Sequence, residues 1–149
     1  MSSNTLRLLL VILLGGCSGG DDAALPVPNL RHADLENRLR LHGFRDLMGL
    51  RRLVLELRQA AERGDKSTLA SAIHYPLRRY DSGILVGAYR GPAEVLANFD
   101  AVFSAKVLAA LRDASFDQLF VRDQGAMIGD GEVWLNVYEE GLKIKAINS

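Results

Sequence analysis

The clearest hydrophobic pattern in the chain is helical and begins after Asp46. Its apolar positions recur three or four residues apart at Leu47, Leu50, Val54, Leu57 and Ala61. Asp46 can cap the start of this helix, and Gly64 can supply the left-handed residue after its end. Asp65 can then cap a second, short helix, which Pro76 is expected to close. The pattern therefore predicts two consecutive helices.

Strand-like segments follow this pair of helices. Residues 77–80 and 84–89 flank Asp81-Ser82-Gly83, a sequence typical of a hairpin turn. Pro92 is expected to open a helix that runs to Phe103, and a further helical stretch covers 107–111. Four more strands are predicted at 119–121, 126–128, 132–138 and 142–147. This order predicts an α+β fold with helices on one face of an antiparallel sheet.

The predicted strand 132–138 alternates strictly between two kinds of residue. Val133, Leu135 and Val137 form an apolar face; Glu132, Trp134, Asn136 and Tyr138 form an aromatic and polar face. In one interpretation the polar residues face water while Trp134 packs against a helix. In the other, the aromatic face lines a ligand pocket, for which the candidate residues are Tyr75, Tyr80, Trp134 and Asn136.

The chain begins with a pattern typical of a secreted protein. Arg7 precedes seven consecutive apolar residues, 8–14, and small residues follow them. Seven residues span about 10 Å as a helix, whereas a bilayer core is about 30 Å thick. We therefore predict that residues 1–16 are a signal peptide rather than a membrane anchor.

The run Leu14-Gly15-Gly16-Cys17 resembles the bacterial lipobox. This resemblance implies cleavage before Cys17 and attachment of lipid to that residue, so that a membrane becomes a partner of the chain. Ser18, which follows the cysteine, implies the outer membrane by the enteric sorting rule. The predicted location is thus the cell envelope, with a lipid anchor and a domain that faces the periplasm.

Residues 17–45 are predicted to carry the lipid and to form a flexible tether with a short helical segment at 34–41. Residues 18–28 are small, acidic and interrupted by Pro26 and Pro28, a composition typical of linkers. The main domain is predicted to cover 46–149.

The composition of the chain argues against several classes of ligand and partner. The 149 residues include 18 Lys and Arg, 18 Asp and Glu and one Cys. A chain of this length suits a single domain, and its charge balance argues against nucleic acid as a partner.

His32, His42 and His74 are too far apart to form a local metal-ligand pair, and the acidic stretch 123–132 lacks the spacing of a calcium loop. We therefore expect no metal or cofactor.

The order of the predicted elements and several short segments resemble small secreted proteins of the nuclear transport factor 2-like superfamily. The segments that carry this resemblance are 73–77, 99–103, 125–134 and 143–148. The resemblance implies a strongly bent antiparallel sheet that wraps around helices and forms a cone, whose mouth can form a pocket. That superfamily includes isomerases, dehydratases, cyclases and binding modules that use the mouth of the cone. Its members often form dimers through the open sheet face, which makes a homodimer one expectation for this chain.

Few residues are candidates for acid–base chemistry. They are His74, Tyr75, Tyr80, Asp100, Trp134 and Asn136. A capping or half-exposed position at the end of a helix accounts for the presence of His74, and a solvated position on a helix accounts for that of Asp100. We therefore expect a binding or interaction lipoprotein without catalytic activity. Its ligand would be a small hydrophobic molecule or an envelope protein. The alternatives are a small lyase or isomerase, and an envelope interaction or immunity-type protein.

Overall fold

A computed structural model describes residues 30–149. The predicted signal peptide, Cys17 and residues 18–29 of the predicted tether lie outside the described residues. Within 30–149, none of the helices combines the length and the apolar character that crossing a bilayer requires.

Six helices and six strands make up the described part of the chain. The helices are α1 (Leu30–Leu41), α2 (Leu47–Arg63), α3 (Lys66–Ser71), α4 (Pro92–Ala97), α5 (Phe99–Val102) and α6 (Ala105–Arg112), and a short 3-10 turn covers Phe116–Gln118. The strands are β1 (Ile73–Asp81), β2 (Ile84–Tyr89), β3 (Phe120–Arg122), β4 (Gly125–Ile128), β5 (Val133–Tyr138) and β6 (Gly141–Asn148).

All six strands form one sheet in the order β2-β1-β6-β5-β4-β3, and the predicted α+β fold is confirmed. The sheet differs from the expectation in two details. It is mixed rather than wholly antiparallel, because β1 runs parallel to β6. It is also open and uncurled, with β2 and β3 as separate edges, so it does not close around the helices as the expected cone would.

The predicted start and end of α2 are confirmed. The Asp46 carboxylate accepts a hydrogen bond from the Gly49 backbone N–H at 2.8 Å, and Gly64 adopts a left-handed conformation with φ of 67°. Asp65 caps α3 in the same way, through the Thr68 backbone N–H at 3.0 Å. These caps satisfy backbone donors that a helix leaves unpaired in its first turn.

Two predicted boundaries are wrong. Pro76 does not close α3, because that helix ends at Ser71 and Pro76 lies inside β1, after a cis peptide bond. The helix that begins at Pro92 is interrupted at Asn98, which separates α4 from α5. The Asn98 side-chain amide donates to the Glu94 backbone oxygen at 2.8 Å, and such side-chain bonds compete with the helical backbone pattern.

The hydrophobic core lies between the helices and one face of the sheet, which we call the inner face. Its strand residues are Leu77, Ala126, Ile128, Val133, Leu135, Ile144 and Ile147. Three residues that precede position 46 belong to the same cluster, namely Leu35, Leu39 and Phe44. The short predicted helix at 34–41 is therefore present as part of α1, and the compact unit begins before residue 46.

Candidate functional site

Trp134 lies on the face of the sheet opposite to the helices, which we call the outer face. Its neighbours Val133 and Leu135 are fully buried in the core, whereas Trp134 and Asn136 are half-buried. Successive residues of a strand point to opposite faces, so the indole is directed away from the helices. The interpretation in which Trp134 packs against a helix does not hold.

The sheet register aligns further outer-face residues with Trp134. Arg78 pairs with Ala146, Ala146 with Trp134, and Trp134 with Met127. Cross-strand partners lie side by side on the same face. A row of side chains therefore crosses the outer face from the arginine of β1 to the methionine of β4.

A groove of about 550 Å³ lies on this outer face. It is lined by strand and turn residues, among them Arg78, Tyr80, Gln124, Trp134, Lys145 and Asn148. Two of the four residues that the sequence proposed for a pocket, Tyr80 and Trp134, thus meet in one groove. They combine aromatic surface with nearby polar groups, which is typical of ligand sites.

The groove is cationic. Among residues 30–149, Arg78 and Lys145 are the charged residues of its lining, and no acidic residue of this part lines it. The Lys145 ammonium donates to the Gln124 backbone oxygen at 3.0 Å. Across residues 30–149, the Arg78 guanidinium has neither a hydrogen bond nor an ion pair. A concave surface with one sign of charge attracts ions of the other sign, so the groove favours an anion.

Lys145 lies at an irregularity in the sheet. Trp134 pairs with Ala146 and Leu135 pairs with Ile144, so Lys145 is left between these pairs as a bulge residue of β6. A bulge changes the direction of a side chain relative to regular alternation. The sequence analysis did not select Lys145, although its position next to the apolar Ile144, which is buried, places it on the face opposite to the core.

The other two proposed pocket residues do not line this groove. The Tyr75 hydroxyl donates to the Ala70 backbone oxygen at 2.8 Å, and the ring packs against the core. Burial raises the pKa of Tyr75 to about 12. The Asn136 side-chain oxygen accepts from the Val137 backbone N–H at 2.9 Å. Both side chains therefore serve local structure.

The two residues weighed as acid–base candidates lie apart from the groove and from each other. The His74 ring stacks on Tyr138 with 3.6 Å between ring centroids, and it is hydrogen-bonded to the Glu140 carboxylate. The pKa of Glu140 is lowered, first by its own backbone N–H and then by His74. The Asp100 side chain is 94% exposed and lies 3.7 Å from the Lys66 ammonium. These groups do not converge on a shared cavity.

A second cavity, of about 410 Å³, lies between α6 and the turn at 129–131. Its notable residue is Glu132, which is 5% exposed and is the buried charged residue of the described chain. One carboxylate oxygen lies 3.1 Å from the Lys106 ammonium, and the other accepts from the Asp130 backbone N–H at 2.6 Å. Glu132 therefore turns toward α6, contrary to the predicted solvent-facing position beside Trp134.

Glu132 holds its charge despite burial. Burial alone raises the pKa of this carboxyl, but its own backbone N–H, the Lys106 ammonium and the Asp130 N–H together lower the pKa below its usual value. Since these donors belong to the turn and to α6, the carboxylate ties the two elements together. Residues 30–149 contain no cluster of three or more His, Cys, Asp or Glu that could hold a metal ion.

Comparison with protein-family models, with curated proteins and with solved structures finds no match for this chain. Inference about function therefore rests on the residues and their geometry.

Proposed function

We propose that the protein is a lipid-anchored binding protein of the bacterial cell envelope, without catalytic activity. Its groove would take a small amphipathic anion, namely a molecule with an apolar body and a carboxylate or a similar acidic group. The observation that carries this proposal is the guanidinium of Arg78, which has no partner within the described residues, in a groove that also holds Trp134 and Tyr80 and to which those residues contribute no acidic side chain.

Each part of the groove matches one part of such a ligand. An arginine can donate two parallel hydrogen bonds to a carboxylate, which fixes the orientation of the acid. The faces of Trp134 and Tyr80 offer apolar surface for the body of the ligand. The Lys145 ammonium already donates to the Gln124 carbonyl, so it adds positive charge at a fixed position.

The envelope location rests on the first residues of the chain. The lipobox-like run that ends at Cys17 supports lipid attachment and, with Ser18, the outer membrane. A tether over residues 18–29 would hold the folded unit off the bilayer on the periplasmic side. These residues lie outside the described part, so their role is argued from sequence alone.

We also infer a relation to the nuclear transport factor 2-like superfamily. The observed order of elements supports it: helices, a hairpin at 73–89, three short helices, and then four strands. The groove, however, lies on the outer face of an open sheet, whereas that superfamily uses the mouth of a cone. The relation therefore concerns descent and fold, and it does not supply a function.

The same geometry disfavours the alternative of a lyase or isomerase. Such chemistry needs an acid or base within hydrogen-bond reach of the reacting atoms. His74 and Asp100 do not line the groove, and its ionisable lining residues are Arg78, Tyr80 and Lys145. Binding requires only the groups that the groove already presents.

The proposal is tested by titrating the full-length protein in phosphatidylcholine vesicles with cyclohexanecarboxylate and, separately, with cyclohexanecarboxamide. These probes share an apolar ring and differ in charge. Trp134 is the single tryptophan of the chain, so its fluorescence reports on the groove. We expect the carboxylate to bind and Arg78→Gln to weaken that binding about tenfold, since a charge-assisted hydrogen bond is worth about 1.5–3 kcal/mol.

Arg122→Gln is the matched control. Arg122 is exposed on β3, and its guanidinium lies 5.1 Å from the centroid of the Phe120 ring, outside the groove. This variant removes the same charge and is expected to bind like the wild type. Equal binding of the amide and the carboxylate, or equal weakening by the two arginine variants, would refute an anion site at Arg78.

A further inference from the structure

The edge strand β2 is unusually apolar for a strand that has a neighbouring strand on one side only. It forms one end of the sheet, and residues 84–89 include no charged side chain. Ile84 is 69% exposed, Leu85 53% and Val86 44%. Natural edge strands are commonly protected by charged residues, proline or a bulge, because their unpaired backbone groups can bind another strand. Within residues 30–149, β2 has a bulge at Val86, where the register with β1 shifts, and helix α4 lies near the strand but leaves Ile84, Leu85 and Val86 exposed.

The opposite edge of the sheet, formed by β3, is short and partly covered by helix α1. Strand β3 has three residues, and helix α1 lies beside it. The Arg38 guanidinium of this helix donates to the Val121 backbone oxygen at 2.9 Å, which occupies a backbone acceptor of β3. The short β3 and its occupied acceptor disfavour a head-to-tail contact between β2 of one copy and β3 of another. A contact between like edges is favoured instead, and such a contact closes as a symmetric dimer rather than as a filament.

The charges around β2 favour a second copy as the occupant. Asp81 lies at the hairpin turn before β2, and Arg90 follows the last residue of the strand. In a two-fold antiparallel arrangement, the turn of one copy lies beside Arg90 of the other, and this contact occurs twice. Within residues 30–149 the Asp81 carboxylate accepts a hydrogen bond from the Ser82 hydroxyl, and the Arg90 side chain has no ion pair.

We propose that the protein forms a homodimer in which the two β2 strands pair antiparallel and join the two sheets into one. The pairing would satisfy the free backbone groups of β2 and cover Ile84, Leu85 and Val86. It differs from a dimer through the open sheet face, because it leaves the outer face and the groove at Trp134 accessible. The proposal does not depend on what the groove binds.

The test is the oligomeric state of the full-length protein in a mild non-ionic detergent, measured by sedimentation equilibrium across a dilution series. Ile84→Lys is compared with Met48→Lys, because both residues are 69% exposed and both variants add one positive charge. We expect wild type and Met48→Lys to be dimers. In Ile84→Lys the dimer dissociation constant should rise at least about tenfold, since a lysine at this edge opposes strand pairing.

A cross-linking measurement keeps the proposal testable if Ile84→Lys fails to fold. In a Cys17→Ser background, Val86→Cys should form a disulfide-linked dimer on oxidation, whereas Met48→Cys should not. A monomeric wild type at every concentration would overturn the proposal. So would a dimer that survives Ile84→Lys but dissociates in Met127→Lys, because that result would place the contact on the outer face.

Discussion

Replacing Phe44 with alanine is expected to lower the free energy of unfolding by about 3–5 kcal/mol, the range found for large-to-small changes in protein cores. The Phe44 side chain is fully buried in the core cluster. Its backbone N–H donates to the Leu39 oxygen at 2.9 Å, which fixes the chain between α1 and α2. A loss of this size is a large part of the 5–15 kcal/mol that stabilises a typical domain. Denaturant titration followed by circular dichroism measures it.

Met48→Ala is the control for this experiment. Met48 follows Phe44 by four residues, but its side chain is largely exposed, so the change should alter stability by no more than about 0.5 kcal/mol. If Phe44→Ala costs no more than Met48→Ala, the segment before residue 46 does not belong to the core. The comparison therefore tests whether α1 is part of the folded unit rather than part of the tether.

Cys17→Ser is expected to abolish lipid attachment completely. The lipobox resemblance implies that the thiol of Cys17 accepts the diacylglyceryl group, and a hydroxyl does not replace it. Since Cys17 is the single cysteine of the chain, no other thiol can take over. Growth with radioactive fatty acid, followed by purification, should give labelled wild type and unlabelled Cys17→Ser, which should also keep its uncleaved leader.

Ser18→Ala is the control for a general effect of substitutions near the cleavage site, because it alters the residue after Cys17 and leaves the thiol in place. It should carry the same label as the wild type. Label on Cys17→Ser, or none on the wild type, would contradict the anchor. Each acyl chain contributes about 0.8 kcal/mol per buried methylene, so two chains would hold the protein firmly on the membrane.

Local signals in the sequence predicted the elements well. The caps at Asp46, Gly64 and Asp65, and the hairpin at 81–83, each depend on a few neighbouring residues, and all of them are present. The parallel pairing of β1 with β6 depends on residues about seventy positions apart. Hydrophobic alternation identifies strands but not their neighbours or directions, so this pairing and the open shape of the sheet were not predictable from the pattern.

Two of the residues proposed to line a pocket lie in the groove. Strand alternation indicated Trp134, and Tyr80 was proposed together with it. Arg78 was not among the candidate residues, although its position two residues before Tyr80 on the same strand places both side chains on one face. The two-residue spacing from Tyr80 would have indicated Arg78 as a residue of the groove. Glu132 was misplaced because its burial depends on Lys106 of α6, a contact that no strand pattern shows.

The most direct test of the cationic groove is collisional quenching of Trp134 fluorescence in the full-length protein, with iodide compared with caesium. Each quenching constant is divided by the value for free N-acetyltryptophanamide, which corrects for the different efficiencies of the two ions. Because Arg78 and Lys145 line the groove beside the indole, iodide should be enriched there and caesium depleted. We expect the normalised iodide constant to exceed the caesium constant, and Arg78→Gln to reduce that excess while Arg122→Gln preserves it. Equal normalised constants for the two ions, or a larger one for caesium, would contradict an anion-binding groove at Trp134.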